Sequence, residues 1–284
     1  MTEETPSGSS GSRSLFVLMM LGVLSAGHVS AQAVAIRFPP AHSGTLDAKG
    51  GCKAKWYDTA GYQPSEGSGH PLFLYFVGTT ATAGDAYDSG VPMAVTKQMA
   101  ERGFVALTVA YDNTYGALLA TDRTEQLDCL FNAANETSIM QLACSLPGSN
   151  VDCNAGIAIW GHSQGGLLAI KAHDFETRVR AVVTMGTGLN VLPYTIEPTR
   201  LRVLNGVTDV AEHTPADMGT ITGASAPAAC PVSDRQCLRP DGSGWVIVPA
   251  VDGLTGGHCW FMKNGCFGDL SGAAALVAPN PEVP

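Results

Sequence analysis

Charge is scarce in this chain. Only 14% of its 284 residues are Asp, Glu, Lys or Arg, and the 16 basic side chains form no Lys/Arg run. Binding to a phosphate backbone needs clustered cations, so the composition counts against nucleic acid as a partner. The formal charge is −9, and a surface of that sign mainly favours solubility. Removing the two acids and one base of the first 31 residues (Glu3, Glu4, Arg13) leaves −8. There is no H-E-x-x-H pair, and the cysteine spacings do not make zinc pairs, so no metal and no cofactor are expected. No internal repeat and no long linker breaks the chain.

Long apolar runs are missing too. Residues 15–26 form an apolar stretch too short to span a bilayer. Arg13 precedes it, and Val29, Ser30 and Ala31 supply small residues for cleavage. Residues 1–31 therefore read as a signal peptide, and no integral membrane span is expected. No cysteine follows the stretch closely, which argues against a lipid anchor. The eight cysteines that do occur, at 52, 129, 144, 153, 230, 237, 259 and 266, are even in number. In an exported chain such a set implies disulfides. Cys230–Cys237 and Cys259–Cys266 are the natural local pairs, with Cys144–Cys153 a weaker third. The expected location is outside the reducing cytoplasm, either extracellular or periplasmic. Asn135-Glu136-Thr137 matches a glycosylation sequon, which has no meaning in a bacterial protein.

A hydrophobic fraction of 45% is enough for one sizeable core, so residues 32–284 are expected to form a single domain. Apolar β-branched and aromatic runs at 72–77, 104–110, 157–160, 179–184, 201–206 and 244–249 read as strands. A helix around 95–102 joins the first two. Strands alternating with helical stretches imply an α/β protein with a mostly parallel sheet covered on both faces. Residues 124–144 read as helix-like.

The most telling stretch is Trp160-Gly161-His162-Ser163-Gln164-Gly165-Gly166, after the apolar run that starts at Ile157. It is a buried strand that turns through a serine into a helix, the G-x-S-x-G nucleophile elbow. A serine held above a sheet needs a tight, strained turn. Side chains two positions before and after it would collide with strand and helix, and Gly161 and Gly165 stand there. Gly166 allows still closer packing. The start of the helix points its positive dipole end at the reacting oxygen.

In this arrangement the acid follows the serine and the histidine comes last. Asp209 sits just past the strand at 201–206, where it can orient an imidazole; Asp217, on the same loop, is its competitor. His258 lies on a glycine-flexed loop after the last strand and is the candidate base. His213 is the rival, whereas His162 is read as facing away from Ser163. Two backbone N–H groups must meet a developing oxyanion. Gln164, after the serine, is one candidate, and Thr79, after the strand at 72–77, is the other, with Thr80 as its substitute. A third hydrogen bond from the Thr79 hydroxyl is conceivable. Met185, Trp260 and Phe261 lie near catalytic loop ends and are candidate acyl contacts.

These motifs resemble the α/β-hydrolase superfamily, and within it small secreted lipases, esterases and cutinases, over roughly residues 50–270. One departure is the early H-G pair of many esterases, here Val77-Gly78. The resemblance implies an α/β-hydrolase fold and a monomeric serine hydrolase. It would act on small-molecule, lipid or polymeric carboxylic esters through an acyl-enzyme on a Ser163-His258-Asp209 triad. Only residues 185–200 separate two strands where a cap would insert, so no large cap domain is expected. A polyester depolymerase or a serine peptidase on the same triad is the alternative. A non-catalytic binding protein of the same fold is the third possibility.

Overall fold

The structure is a computed structural model. It describes residues 32–37, 58–119, 123–132, 134–136, 138–188, 193–209, 211, 214–224, 235–249 and 257–258. The expected leader at 1–31 lies outside them, as do Trp260, Phe261 and His213.

The strands in chain order are β1 (Ala33–Arg37), β2 (Thr59–Pro64), β3 (Leu72–Phe76), β4 (Val105–Val109) and β5 (Ile157–His162). They continue as β6 (Val179–Met185), β7 (Leu201–Gly206), β8 (Gln236–Leu238) and β9 (Gly244–Val248). Among the described residues these form one sheet, in the order β1-β2-β4-β3-β5-β6-β7-β9-β8. The six strands from β4 to β9 along that order run parallel, and β1, β2 and β8 pair antiparallel at the edges. Every residue of β3 and β4 is buried. An uninterrupted apolar run suits strands that are covered on both faces.

The helices are α1 (Gly90–Ala100), α2 (Tyr115–Leu119), α3 (Thr124–Phe131), α4 (Ile139–Cys144), α5 (Gln164–Lys171) and α6 (Pro215–Thr222). Helix α1 packs on β2, β3 and β4, and α5 packs on β3, β5 and β6. The crossover β3-α1-β4 runs toward one edge of the sheet, and β5-α5-β6 runs toward the other. Right-handed crossovers in opposite directions put their helices on opposite faces. This sheet order, with its strand directions and covered faces, is the α/β-hydrolase fold. No helix of the described residues is long and apolar enough to cross a membrane.

The helix-like stretch at 124–144 is two helices. Asn132 ends α3 with extended backbone, and its Oδ1 accepts the N–H of Ala134 at 2.9 Å. Ser138 then caps α4 by accepting the Gln141 N–H. Local bonds of this kind compete with the helical ladder and break it.

Cys144 and Cys153 are joined, with their Cα atoms 5.5 Å apart, and they close the loop before β5. Cys129 and Cys237 are also disulfide-bonded. Cys230, Cys259 and Cys266, and with them the other two expected pairs, lie outside the described residues. Removing the first bridge through Cys144→Ser with Cys153→Ser is expected to cost about 2–3 kcal/mol, because the unfolded chain regains freedom. Urea unfolding measures it; an unchanged midpoint would show that the bridge adds nothing.

Candidate active site

Strand order reverses between β3 and β5. The chain ends leaving two such strands diverge, and a crevice opens between them. The register pairs Phe76 with Gly161. The turn at Val77-Gly78-Thr79 and the elbow at His162-Ser163 therefore emerge side by side.

Ser163 has φ 52° and ψ −120°, a conformation that L-residues avoid. Such strain costs on the order of 1–3 kcal/mol and persists only where the surroundings enforce it. Here the surroundings are close-packed backbone. A Cβ on Gly161 would strike the Gly165 carbonyl and come within 2.6 Å of the Gly166 nitrogen. A Cβ on Gly165 would come within 2.6 Å of the Val77 oxygen, and one on Gly166 would strike Thr187 Oγ1. The Ser163 N–H donates to the Met185 carbonyl at 2.7 Å, which ties the elbow to the end of β6.

The two candidate oxyanion donors flank this serine. A Cβ on Gly78 would lie 3.0 Å from Ser163 Cβ, so the Gly78–Thr79 peptide runs beside Ser163. Among the described residues neither the Thr79 N–H nor the Gln164 N–H has a hydrogen-bond acceptor. The Thr79 hydroxyl is occupied differently from the sequence expectation: it donates to Gln164 Oε1 at 3.0 Å. That bond links the two residues across the crevice. The Thr80 N–H is bound to the Asn113 carbonyl at 2.9 Å, which leaves Thr79 as the free donor of the pair.

Asp209 follows β7 with its side chain fully buried, and its Oδ1 lies 2.6 Å from His258 Nδ1. Burial pushes the Asp209 carboxyl up. The hydrogen bond and charge of His258, with the N–H groups of Ala211 and Gly206, outweigh that and hold it below the usual carboxylate range. An ionised carboxylate only accepts, so His258 donates to it through Nδ1, and Nε2 is the ring nitrogen not engaged by Asp209. Asp217 is not a partner of His258; it sits in the first turn of α6 and bonds to Thr214. The Asp209–His258 pair abuts Gly186, which has φ +62°. A Cβ there would lie 2.9 Å from His258 Nδ1 and 3.4 Å from Asp209 Oδ2. Met185, the neighbour of Gly186, is the residue that binds Ser163. Serine, histidine and aspartate thus gather around the end of β6. No hydrogen bond joins Ser163 Oγ to His258 among the described residues. Unliganded sites often close this bond only around substrate. The Met185 side chain is buried, with 9% of its surface exposed, and belongs to the core cluster.

His162 is closer to the chemistry than its place in the motif implies. Its Nε2 donates to the His258 carbonyl at 2.9 Å, and the two ring centroids are 5.0 Å apart. Burial, with the charge of His258 second, lowers its pKa to about 4, so it is neutral at pH 7. Two further buried residues brace the Val77-Gly78-Thr79 turn. The Tyr111 hydroxyl donates to the Val77 carbonyl at 2.5 Å, and Asn113 Nδ2 donates to the Gly78 carbonyl at 3.0 Å. Nothing in the sequence pattern marks these long-range bonds.

The His162 shift has a consequence for stability. The group is neutral in the fold and titrates near 6.5 in the unfolded chain. Its contribution is full above pH 6.5 and is lost as pH falls toward about 4, where the unfolded chain takes up a proton that the fold excludes. The loss is about 3 kcal/mol. His162→Gln keeps a donor but does not titrate, and it is expected to flatten the pH dependence of the urea midpoint between pH 7 and 4. Identical slopes in both proteins would contradict the burial of a neutral imidazole.

Among solved structures the chain is similar to an α/β serine hydrolase without a lid from Xanthomonas campestris. The identity is 11% and the TM-score 0.47, over 80% of this chain and 86% of that one. No family model matches the chain, and no curated protein does. Sheet order, strand directions and the backbone of the elbow are what define the α/β-hydrolase fold here.

Proposed function

We propose that this protein is a serine hydrolase of carboxylic esters. The observation that carries the reading is the buried Asp209–His258 hydrogen bond beside Gly186, with the strained Ser163 bound to the adjacent Met185. A structural role for the pair would not require a serine held at φ 52°.

Ser163 Oγ attacks the ester carbonyl carbon, and its proton passes to His258 Nε2. Negative charge gathers on the carbonyl oxygen, where the Thr79 and Gln164 N–H groups receive it. Collapse expels the alcohol, which takes the proton from His258, and leaves an acyl-Ser163. Water then attacks the acyl carbon, giving a proton to His258, and departure of Ser163 with that proton releases the acid. Asp209 holds the imidazole in the required tautomer throughout and stabilises its charged form.

The connection from β6 to β7 spans only 186–200, too short to hold a cap domain. An open cleft suits short or medium acyl chains and esters presented at a surface. Trp260 and Phe261 are proposed to contact the acyl group, whereas the Met185 side chain packs in the core. Four described cysteines are disulfide-bonded, which fits export of residues 32–284 behind a cleaved leader, to the cell exterior or the periplasm.

Hydrolysis of p-nitrophenyl esters from acetate to palmitate, by the oxidised protein and by Ser163→Ala, tests the reading. The variant is expected to lose roughly a million-fold in kcat. Asp209→Asn should lose about 10⁴-fold, because the imidazole tautomer is then wrong. Equal rates in wild type and Ser163→Ala would remove Ser163 from the mechanism.

A further inference from the structure

Of the two buried residues that hold the turn carrying Thr79, Asn113 binds it at the most points. Asn113 is 0% exposed and follows β4. Its Nδ2 donates to the Gly78 carbonyl at 3.0 Å and, more weakly, to the Asp85 carbonyl at 3.4 Å. Its Oδ1 accepts the Thr80 hydroxyl at 2.9 Å and the Gly84 N–H at 3.0 Å. Its own carbonyl accepts the Thr80 N–H at 2.9 Å. One side chain and one carbonyl thus bind both sides of the Thr79 residue without touching Thr79 itself.

The geometry of a peptide unit gives this a consequence for catalysis. In a trans peptide the C=O and the following N–H lie in one plane and point in opposite directions. The Gly78 C=O and the Thr79 N–H belong to the same peptide. A bond from Asn113 to that oxygen therefore fixes the direction of the Thr79 N–H, away from Asn113. The same peptide runs beside Ser163. The Tyr111 hydroxyl treats the preceding peptide in the same way through the Val77 carbonyl. A donor fixed before the reaction needs no reorganisation when charge develops, which is where such donors derive most of their effect.

We propose that Asn113 is a positioning residue for the oxyanion hole: by holding the Gly78 carbonyl, it aims the Thr79 N–H at the oxyanion. The inference rests on the ester-hydrolase reading of Ser163. It assigns Asn113 a role in kcat and none in holding the ground-state substrate.

Asn113→Asp tests it. The aspartate can still accept from Thr80 and Gly84 but lacks the amide donor that binds the Gly78 carbonyl and, more weakly, the Asp85 carbonyl. The measurements are kcat and KM on a p-nitrophenyl ester, the fraction of sites titrated by a fluorophosphonate, and the inhibition constant of an alkyl boronic acid, which mimics the tetrahedral adduct. The expected result is a kcat about 10- to 100-fold lower per titrated site, a KM within about threefold of wild type, and a boronate affinity reduced in step with kcat. An unchanged kcat per titrated site would overturn the inference. So would a rise in KM alone, or a kcat that falls only because fewer sites titrate. If Asn113→Asp does not fold, Asn113→Ser, which removes the reach to Gly78 without adding charge, takes its place under the same criteria. Failure of both to fold would make Asn113 a determinant of the fold alone and would also overturn the inference. A wild type that no fluorophosphonate labels would instead defeat the ester-hydrolase reading itself.

Discussion

No atom larger than hydrogen fits on the α-carbons of Gly161, Gly165 and Gly166, and the rest of the site depends on that closeness. It lets α5 start almost on top of the ends of β3 and β5. Ser163 is then forced into a left-handed turn, and its side chain is lifted clear of the sheet. The first N–H of the helix, on Gln164, is left beside it without an intrahelical partner. The Val77-Gly78-Thr79 turn lies against the same backbone, because a Cβ on Gly165 would strike the carbonyls of Phe76 and Val77. One packing constraint thus exposes the serine and brings both unpartnered N–H groups to it.

Around this centre the chain uses few charges and many buried hydrogen bonds. Asp209 is the carboxylate of the site, and it stays ionised in a buried place because His258 and two backbone N–H groups offset its desolvation. His162 is kept neutral and binds the backbone of His258, so the second ring lends an attachment without adding a competing charge. Asn113 and Tyr111 bind carbonyls of the Val77-Gly78-Thr79 turn. Buried polar networks are stabilising only when their members are satisfied. In this one the Thr79 and Gln164 N–H groups are without acceptors among the described residues. A site organised to receive negative charge would leave those two groups open.

Much of the fold was legible in the chain because its signals are local. An apolar run such as 72–77 reads as a buried strand, and Gly161 and Gly165 around Ser163 describe a turn with a known steric reason. Strand ends then point to Thr79, Asp209 and His258 by position alone. Position just past the strand favours Asp209 over Asp217, which lies further along the same loop; in the structure Asp209 is the one bonded to His258, and Asp217 is bonded to Thr214. Residues that act through backbone carbonyls were not legible. His162 reaches a carbonyl 96 positions away and Asn113 one 35 positions away, and such bonds impose no periodicity or spacing on the sequence. The stretch at 124–144 is apolar at both ends but largely polar across 132–138, and the local bonds of Asn132 and Ser138 there divide it into α3 and α4.

The central claim is that Ser163 is a nucleophile activated by the Asp209–His258 pair. Its most direct test is covalent. The folded, oxidised protein is treated with a fluorophosphonate, weighed intact by mass spectrometry, and mapped by peptide sequencing beside His258→Ala. The account predicts one adduct per chain, on Ser163, formed orders of magnitude more slowly in the variant. An unlabelled wild type, an adduct on another residue, or equal labelling rates in the two proteins would contradict it.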